Sequence, residues 1–303
     1  MKTHYESRLF KENIMKTVIS RATVVPFSDL PNQSIALDGY CSGGPALDLS
    51  RQSFNFDHHD GCLRLVTRAT CQQVMDALTL GLEVAGKDVY INDVDGDTVL
   101  SVWLLRHPEA IEDQMIRELV ESVGGIDAHG PAYRALDGGV AMAFYGTVMA
   151  AERALRRSRE YESCNLEDLL DECGRALDLF VSAGCPPDEV PALPEFEVTH
   201  KGDNFVMATG QGFLFSGLYA AGHNRAVAYD ELSEGKWRYT IGKKSDLVGG
   251  FPIGPGAKAG TLLHSLNELE KGWGGGSSIG GGPREGSKLS PDLVFKVIQD
   301  LLS

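Results

Sequence analysis

Apolar residues in the first third of the chain come in short bursts, each closed by polar or turn residues: TVISRATVVPF (17–27), SIALDGY (34–40) and SFNFDHH (53–59). Bursts of this length, rich in Val, Ile and Phe, are the pattern of strands. From Cys71 to Ala85 the apolar positions fall at helical spacing instead. DVYINDVDGD (88–97) then reads as a buried strand running into a carboxylate-rich turn, and TVLSVWLL (98–105) begins the helix after it. Further helices are expected over Glu109–Val123, over a long stretch from Pro131 to Arg159, and over Asn165–Ala183 with Asn165 or Ser163 as its cap.

Strands alternating with helices indicate an α/β fold, a mostly parallel sheet flanked by helices with its chemistry at the carboxyl ends of the strands. The texture changes at CPPDEVPALPE (185–195), a proline-rich acidic stretch that cannot continue a helix. We therefore expect a catalytic α/β domain over 1–185, a linker over 186–196 and a smaller α+β domain over 197–303. Within the latter, NFVMATG (204–210), GFLFSGLYAAG (212–222), RAVAYDEL (225–232) and KWRYTIGKK (236–244) read as strands. A glycine-rich run follows them, and a last helix spans Pro291–Leu302.

Composition narrows the function. With 43% hydrophobic and 23% charged residues in 303, the chain has the makeup of a soluble globular protein. No run is long and apolar enough for a membrane helix, and the opening MKTHYESRLFKENIMK lacks a signal-peptide core, so a cytoplasmic location and no membrane partner are expected. The six cysteines form no CxxC pair and read as reduced thiols, mostly buried. A net charge of −14 argues against gripping long nucleic acid, because that affinity comes from Lys and Arg on phosphates. A small phosphorylated substrate or a short oligonucleotide fits better. The apolar stretch from Ala141 to Ala151 suits either core or a homodimer interface.

Three groups carry candidate chemistry, each just past an expected strand: Asp38, then Asp57-His58-His59, then Asp93, Asp95 and Asp97. Neighbouring strand ends lie about 5 Å apart, so these side chains can converge. Asp127, in GGIDAHGP, is a fourth candidate, expected in a turn after a helix. Crowded carboxylates repel unless cations bridge them, and oxygen with imidazole ligands suits Mn²⁺ or Mg²⁺. Two such ions can activate a water and hold both oxygens of a phosphoryl transfer.

The Asp57-His58-His59 triplet after an apolar strand, together with the DVDGD turn, resembles the DHH phosphoesterase superfamily, whose members bind two Mn²⁺ or Mg²⁺ ions. The motif order is permuted here, with Asp38 and the triplet preceding the Asp-x-Asp turn and Asp127 last. The resemblance implies that Asp93 and Asp95 form the Asp-x-Asp pair, one on each ion, that Asp38 bridges the ions, that His58 ligates the second ion, that His59 faces the substrate phosphate or orients a ligand, and that Asp127 is the final aspartate. Asp57 is a further metal candidate. The histidine that often precedes the pair in the family is replaced by Ile91-Asn92, so one ligand comes from elsewhere, with Asp97, His129 and Asp57 as candidates.

Gly272 to Arg284 holds too many glycines for a packed element, and its backbone amides can approach an anion closely. Gly274, Gly275, Gly276, Ser277, Ser278, Arg284 and the upstream Lys243 are the candidate substrate contacts. The family's second domain often carries a GGGH-like substrate loop; here Ser277 takes the histidine's place. The expected activity is hydrolysis of a small phosphomonoester or phosphodiester by a bimetal-activated water. A catalytically inactive nucleotide or anion binder of the same fold is the alternative, and amide hydrolysis by the same cluster a third reading.

Overall fold

The computed structural model describes residues 15–130, 133, 138–190, 192–233, 235–254 and 258–303. The first strands are β1 (Thr17–Ile19), β2 (Val25–Pro26), β3 (Ser34–Leu37), β4 (Cys41–Ser42), β5 (Ala46–Asp48), β6 (Ser53–Phe56) and β7 (Asp88–Ile91). Five of them form a sheet in the order β1-β7-β3-β6-β5. The ladders β1/β7, β7/β3 and β3/β6 are parallel, and β5 closes one edge antiparallel. A separate parallel ribbon pairs β2 with β4.

Side-chain alternation divides this sheet's two faces. Ile35, Leu37, Val89 and Ile91 join one core with residues of α1 (Thr70–Thr79), α2 (Gly96–Arg106), α3 (Gln114–His129) and α6 (Leu166–Ser182), among them Val74, Leu100, Leu104, Leu119, Val123 and Leu177. The intervening Ala36 and Tyr90 join Leu30, Tyr40 and Cys41, with Val25 and Phe27, in a small cluster of their own. Each fully buried Leu contributes about 1.5–3 kcal/mol. Between α3 and α6 lie α4 (Gly138–Ala143) and α5 (Ala150–Ser158), joined by one π turn over Phe144–Val148.

Contacts divide the chain into two compact units, Met1–Val190 and Pro191–Ser303. In the second, β8 (Phe196–Lys201), β9 (Val206–Gly210), β10 (Arg225–Ser233), β11 (Lys236–Lys243), β12 (Gly274–Gly275) and β13 (Ile279–Gly281) form a sheet ordered β12-β13-β11-β10-β9-β8. Only its β9/β10 ladder is parallel. Met207, Val227 and Ile241 pack with Leu263 and Leu266 of α8 (Leu262–Leu269) and Val294 and Ile298 of α9 (Pro291–Leu302). Helices and sheets together make this an α/β chain. No helix among the described residues is long and apolar enough to cross a membrane.

Several expectations need correction. GFLFSGLYAAG is not a strand: Phe215–Ala220 form the short helix α7, and Phe215 lies against Gly242, where a Cβ would come within 2.4 Å of its ring. The helix expected to end at Val123 runs on to His129, so Asp127 sits in its last turn. Gly124 and Gly125 do not break it, because they admit neighbours: a Cβ on Gly124 would meet Gln72 of α1 at 2.7 Å. The long helix expected over Pro131–Arg159 is broken up after Gly138, and residues 131, 132 and 134–137 lie outside the described residues. Its apolar middle is core, with Ala141, Phe144, Val148 and Met149 buried in the first unit.

The glycine-rich run is an ordered hairpin. β12 pairs with β13, and Gly276 N donates to Ile279 O at 2.7 Å. The glycines are what allow it: a Cβ on Gly275, whose φ is +150°, would stand 2.3 Å from Gly280 Cα.

Candidate metal centre

The parallel neighbours β7, β3 and β6 end side by side, which brings the residues after them to one sheet edge. Asp38 follows β3, the middle strand. Its φ of +51° places it in the left-handed region, which Asp tolerates better than most residues, and Gly39 follows at +85°. This turn is fastened from outside, because Asn92 Nδ2 donates to Gly39 O at 2.8 Å and to Thr23 O at 2.9 Å. The Asp38 carboxylate, 7% exposed, accepts from Thr70 Oγ1 (2.9 Å) and Thr98 Oγ1 (3.1 Å), so the first turns of α1 and α2 both close on it. Burial opposes its charge, yet His58, His59 and Thr70 hold its pKa below the usual carboxylate value.

Asp97 is fully buried, and its two oxygens accept from the Thr70 and Cys71 amides, both at 2.7 Å, at the start of α1. Those donors stabilise the carboxylate as a helix N-terminus does. Burial and the facing charges of Asp38 and Asp127 outweigh them and push its pKa up to about 7. Asp95 caps α2, accepting from Thr98 N at 2.9 Å. Burial, then Asp38, Asp127 and Asp97, raise its pKa well above the ordinary carboxylate range.

His58 is enclosed by these acids. Its Nε2 lies 3.0 Å from Asp127 Oδ2 and 3.5 Å from both Asp38 Oδ1 and Asp97 Oδ2. Despite these distances, neither ring nitrogen has a partner in hydrogen-bond geometry, and the side chain is 0% exposed. A nitrogen surrounded by carboxylate oxygens but aimed at none of them is placed to share a cation with them. Burial works against a charged imidazole, but Asp127, Asp38 and Asp97 prevail and push its pKa up to about 10.

His59 stands at the rim, its side chain 43% exposed, with Nδ1 2.9 Å from Asp57 Oδ1 and 3.4 Å from Asp38 Oδ1. The Asp57 contact, against the cost of burial, raises its pKa. Asp57 Oδ1 also accepts from the His59 amide at 3.0 Å, while Oδ2 is buried without a partner.

Two sets of side chains thus converge closely enough to hold a cation, Asp38 with His58 and His59, and His58 with Asp97 and Asp127. They share His58. Of the residues expected from the sequence, Asp38, His58, His59 and Asp127 meet here, and Asp97 joins them. Asp95 stands beside them as a helix cap, and Asp57 orients His59 from behind. Asp93 is held elsewhere: its Oδ1 accepts from Tyr161 and from Val94 N at 2.9 Å, and Arg156 lies 3.7 Å from Oδ2. Arg156 in turn stacks 3.9 Å over the Tyr161 ring. Compared with protein-family models and with curated proteins, the chain matches none.

Four contributors escaped the sequence reading or were underweighted in it. Thr70 and Thr98 are ordinary helix-start residues until Asp38 is placed between them. Asp97 was legible as the second half of an alternative Asp-x-Asp pair, Asp95-Gly96-Asp97. Tyr145, in the π turn, lies against Gly96, where a Cβ would stand 2.9 Å from Tyr145 Cε1. Burial and the charges of Asp127, Asp95 and Asp97 raise its pKa well above the usual phenol value.

In the second unit, Lys243 Nζ lies 3.3 Å from Asp246 Oδ1 and Ser277 Oγ donates to Asp246 Oδ2 at 2.9 Å. Ser278 O accepts from Lys243 N at 2.9 Å. Gly274, Gly275 and Gly276 belong to the hairpin and its turn, and Arg284 is exposed just beyond it.

Proposed function

We propose that the chain is a divalent-metal-dependent phosphoesterase acting on a small phosphomonoester or phosphodiester of the nucleotide or short-oligonucleotide class. The observation that carries the proposal is the His58 imidazole, fully buried, with three carboxylates within 3.5 Å and neither ring nitrogen hydrogen-bonded. Buried ring nitrogens without hydrogen-bond geometry toward the acids around them suit a cation shared with those acids. The donors fit Mn²⁺ or Mg²⁺, with Asp38, His58, Asp97 and Asp127 as ligands and His59 or Asp95 completing the set for a second ion. A bound divalent cation would polarise the phosphoryl group and lower the pKa of a water.

The chain's own residues supply the rest. Asp57 fixes the His59 ring through Nδ1, which leaves Nε2 at the exposed rim to carry a proton. From there His59 can donate to a phosphoryl oxygen and deliver that proton to the leaving oxygen as the phosphorus–oxygen ester bond breaks and the oxygen of water takes its place. Thr70, Thr98 and the α1 amides hold Asp38 and Asp97 in place, so the cluster needs little rearrangement during the reaction.

In this reading a mostly parallel α/β catalytic domain precedes a smaller α+β substrate domain, as in DHH phosphoesterases with their motifs permuted. The anion-binder alternative is less favoured, because Lys243 and Ser277 already engage Asp246 and an anion would have to displace that carboxylate.

Elemental analysis of protein purified without chelator, for wild type and Asp127→Asn, tests the proposal together with assays on p-nitrophenyl phosphate and bis(p-nitrophenyl) phosphate. We expect bound divalent metal in the wild type, less in the variant, and p-nitrophenol release only with Mn²⁺ or Mg²⁺. A wild type that takes up no divalent cation and cleaves neither ester overturns it.

A further inference from the structure

Among the described residues, the Tyr145 phenol lies beside the acidic turn and has no part in the proposed function. α4 does not continue regularly into α5. At Phe144–Val148 the backbone opens into a π turn closed by Met149 N donating to Phe144 O at 3.2 Å, and Thr147 Oγ1 bonds back to Ala143 O at 2.6 Å. One extra residue in a turn rotates the side chains around it, and such turns are frequent at functional sites. Here Phe144 stays in the core, fully buried, while Tyr145 is turned onto the Asp95-Gly96-Asp97 backbone, its ring edge-on to Phe144 with centroids 5.4 Å apart.

The fit depends on Gly96. A Cβ there would lie 2.9 Å from Tyr145 Cε1 and 3.3 Å from its hydroxyl, so the phenol rests directly on the peptide that joins two of the cluster's aspartates. Buried tyrosine hydroxyls ordinarily find a hydrogen-bond partner. Tyr145 is only partly buried, and among the described residues no side-chain hydrogen bond holds its hydroxyl, so the phenol is open to a ligand; Arg153 donates to its main-chain oxygen at 3.2 Å. Tyr161, by contrast, spends its hydroxyl on Asp93 and on Val94 O at 2.9 Å, fastening the same turn from its other end. One tyrosine is structural. The other presents a free donor among acidic groups that cannot accept substrate charge themselves.

We propose that Tyr145 is a further catalytic residue of the phosphoesterase site, its hydroxyl donating a hydrogen bond to a non-bridging oxygen of the phosphoryl group undergoing hydrolysis. The inference rests on the phosphoesterase reading. Tyr145 keeps its proton throughout: water adds to phosphorus and gives up a proton to solvent, the ester oxygen leaves with the proton from His59, which is then reprotonated from solvent, and the phenol only follows the growing negative charge. A donor placed this way acts more on the transition state than on the bound ester.

The test compares wild type with Tyr145→Phe, which removes one oxygen and preserves the ring packing on Gly96. Loss of one such donor should lower kcat about 10²-fold with KM little changed. Bound Mn²⁺ by elemental analysis and the melting temperature should match the wild type. Independently of turnover, orthovanadate, a tetrahedral oxyanion, should bind the Mn²⁺-loaded variant roughly tenfold more weakly in calorimetry, as expected for a lost hydrogen bond to a charged group. An active wild type with Tyr145→Phe unchanged in both kcat and vanadate affinity overturns the role of Tyr145 and leaves the phosphoesterase reading standing. A wild type without bound metal or activity overturns both. A variant that loses metal in step with activity also overturns it, since Tyr145 would then only support the cluster.

Discussion

At the scale of single residues, Asp97 joins folding to the cluster. Each of its oxygens receives one amide from the first turn of α1 while Oδ2 also lies 3.5 Å from His58 Nε2. Asn in its place keeps one acceptor and turns a donor toward the other amide. Leaving a buried amide unsatisfied costs about 1–3 kcal/mol. Asp97→Asn should therefore melt below the wild type even in chelator, and should also bind less Mn²⁺; thermal melts with EDTA, paired with metal analysis, measure both. Unchanged melting in EDTA would mean that the α1 amides find other acceptors. The residue scale also shows what the sequence could not rank. Asp93-x-Asp95 and Asp95-x-Asp97 have the same spacing, and the choice falls to Asp97 because Asp95 caps α2. That cap puts Asp97 inside the first helical turn, facing α1, and leaves Asp93 outside it beside Tyr161.

At the scale of elements, local signals were strong where a cap or a proline marked a boundary. Asn165 caps α6, accepting from Glu167 N at 2.9 Å, and Ser290 with Pro291 begins α9 where the sequence placed it. Asn165→Ala should destabilise the first unit by about 1 kcal/mol. A urea titration should show the midpoint falling without a change in slope. Elements whose identity rests on what packs against them were not legible. Phe213–Tyr219 is apolar enough for a strand, yet Phe215–Ala220 is helical, with Phe215 resting on Gly242. Gly124 and Gly125 look like helix breakers, yet they sit mid-helix, Gly124 against Gln72 of α1 and Gly125 against the Tyr133 ring. The glycine hairpin follows the same rule: what reads as looseness in one dimension is close approach in three.

At the scale of the whole molecule, the cluster couples folding to protons, and on the proposed function to cations. The His58 pKa, about 10, lies above its unfolded value, so its contribution to stability is full below about pH 6.5 and is lost as pH rises through 10. Asp97, raised to about 7, has the same sign: stability falls as pH climbs from about 4 through 7. Asp38 has the opposite sign, and its contribution is lost only as pH falls below the usual carboxylate range. Above neutrality the cation-free cluster is therefore under increasing strain from its own charge, which a bound divalent ion would relieve. The melting temperature gained on adding Mn²⁺ should be small at pH 5.5 and should grow through pH 7 to 8.5, with protons released on binding. Melts at the three pH values, with calorimetry in buffers of different ionisation enthalpy, measure this; a gain that shrinks as pH rises would show that these groups do not bind the ion.

The sequence by itself determined the α/β class, the strands that end in Asp38, Asp57-His58-His59 and the DVDGD turn, and the acidic character of the site. Each of these follows from local pattern, the two-residue period of a strand or the residue type at its end. Which acids meet was decided only by the tertiary structure. Strand order puts β3 between β7 and β6, so the residues after these strands meet at one edge, with His58 Nε2 3.5 Å from both Asp38 and Asp97. The crossing of α1, α2 and α3 over the sheet then brings Thr70, Thr98, Asp127 and the π-turn Tyr145 to the same edge. These contacts span from 20 residues of chain, Asp38 to His58, to 69, His58 to Asp127, and no local periodicity encodes them, because they depend on how whole elements pack.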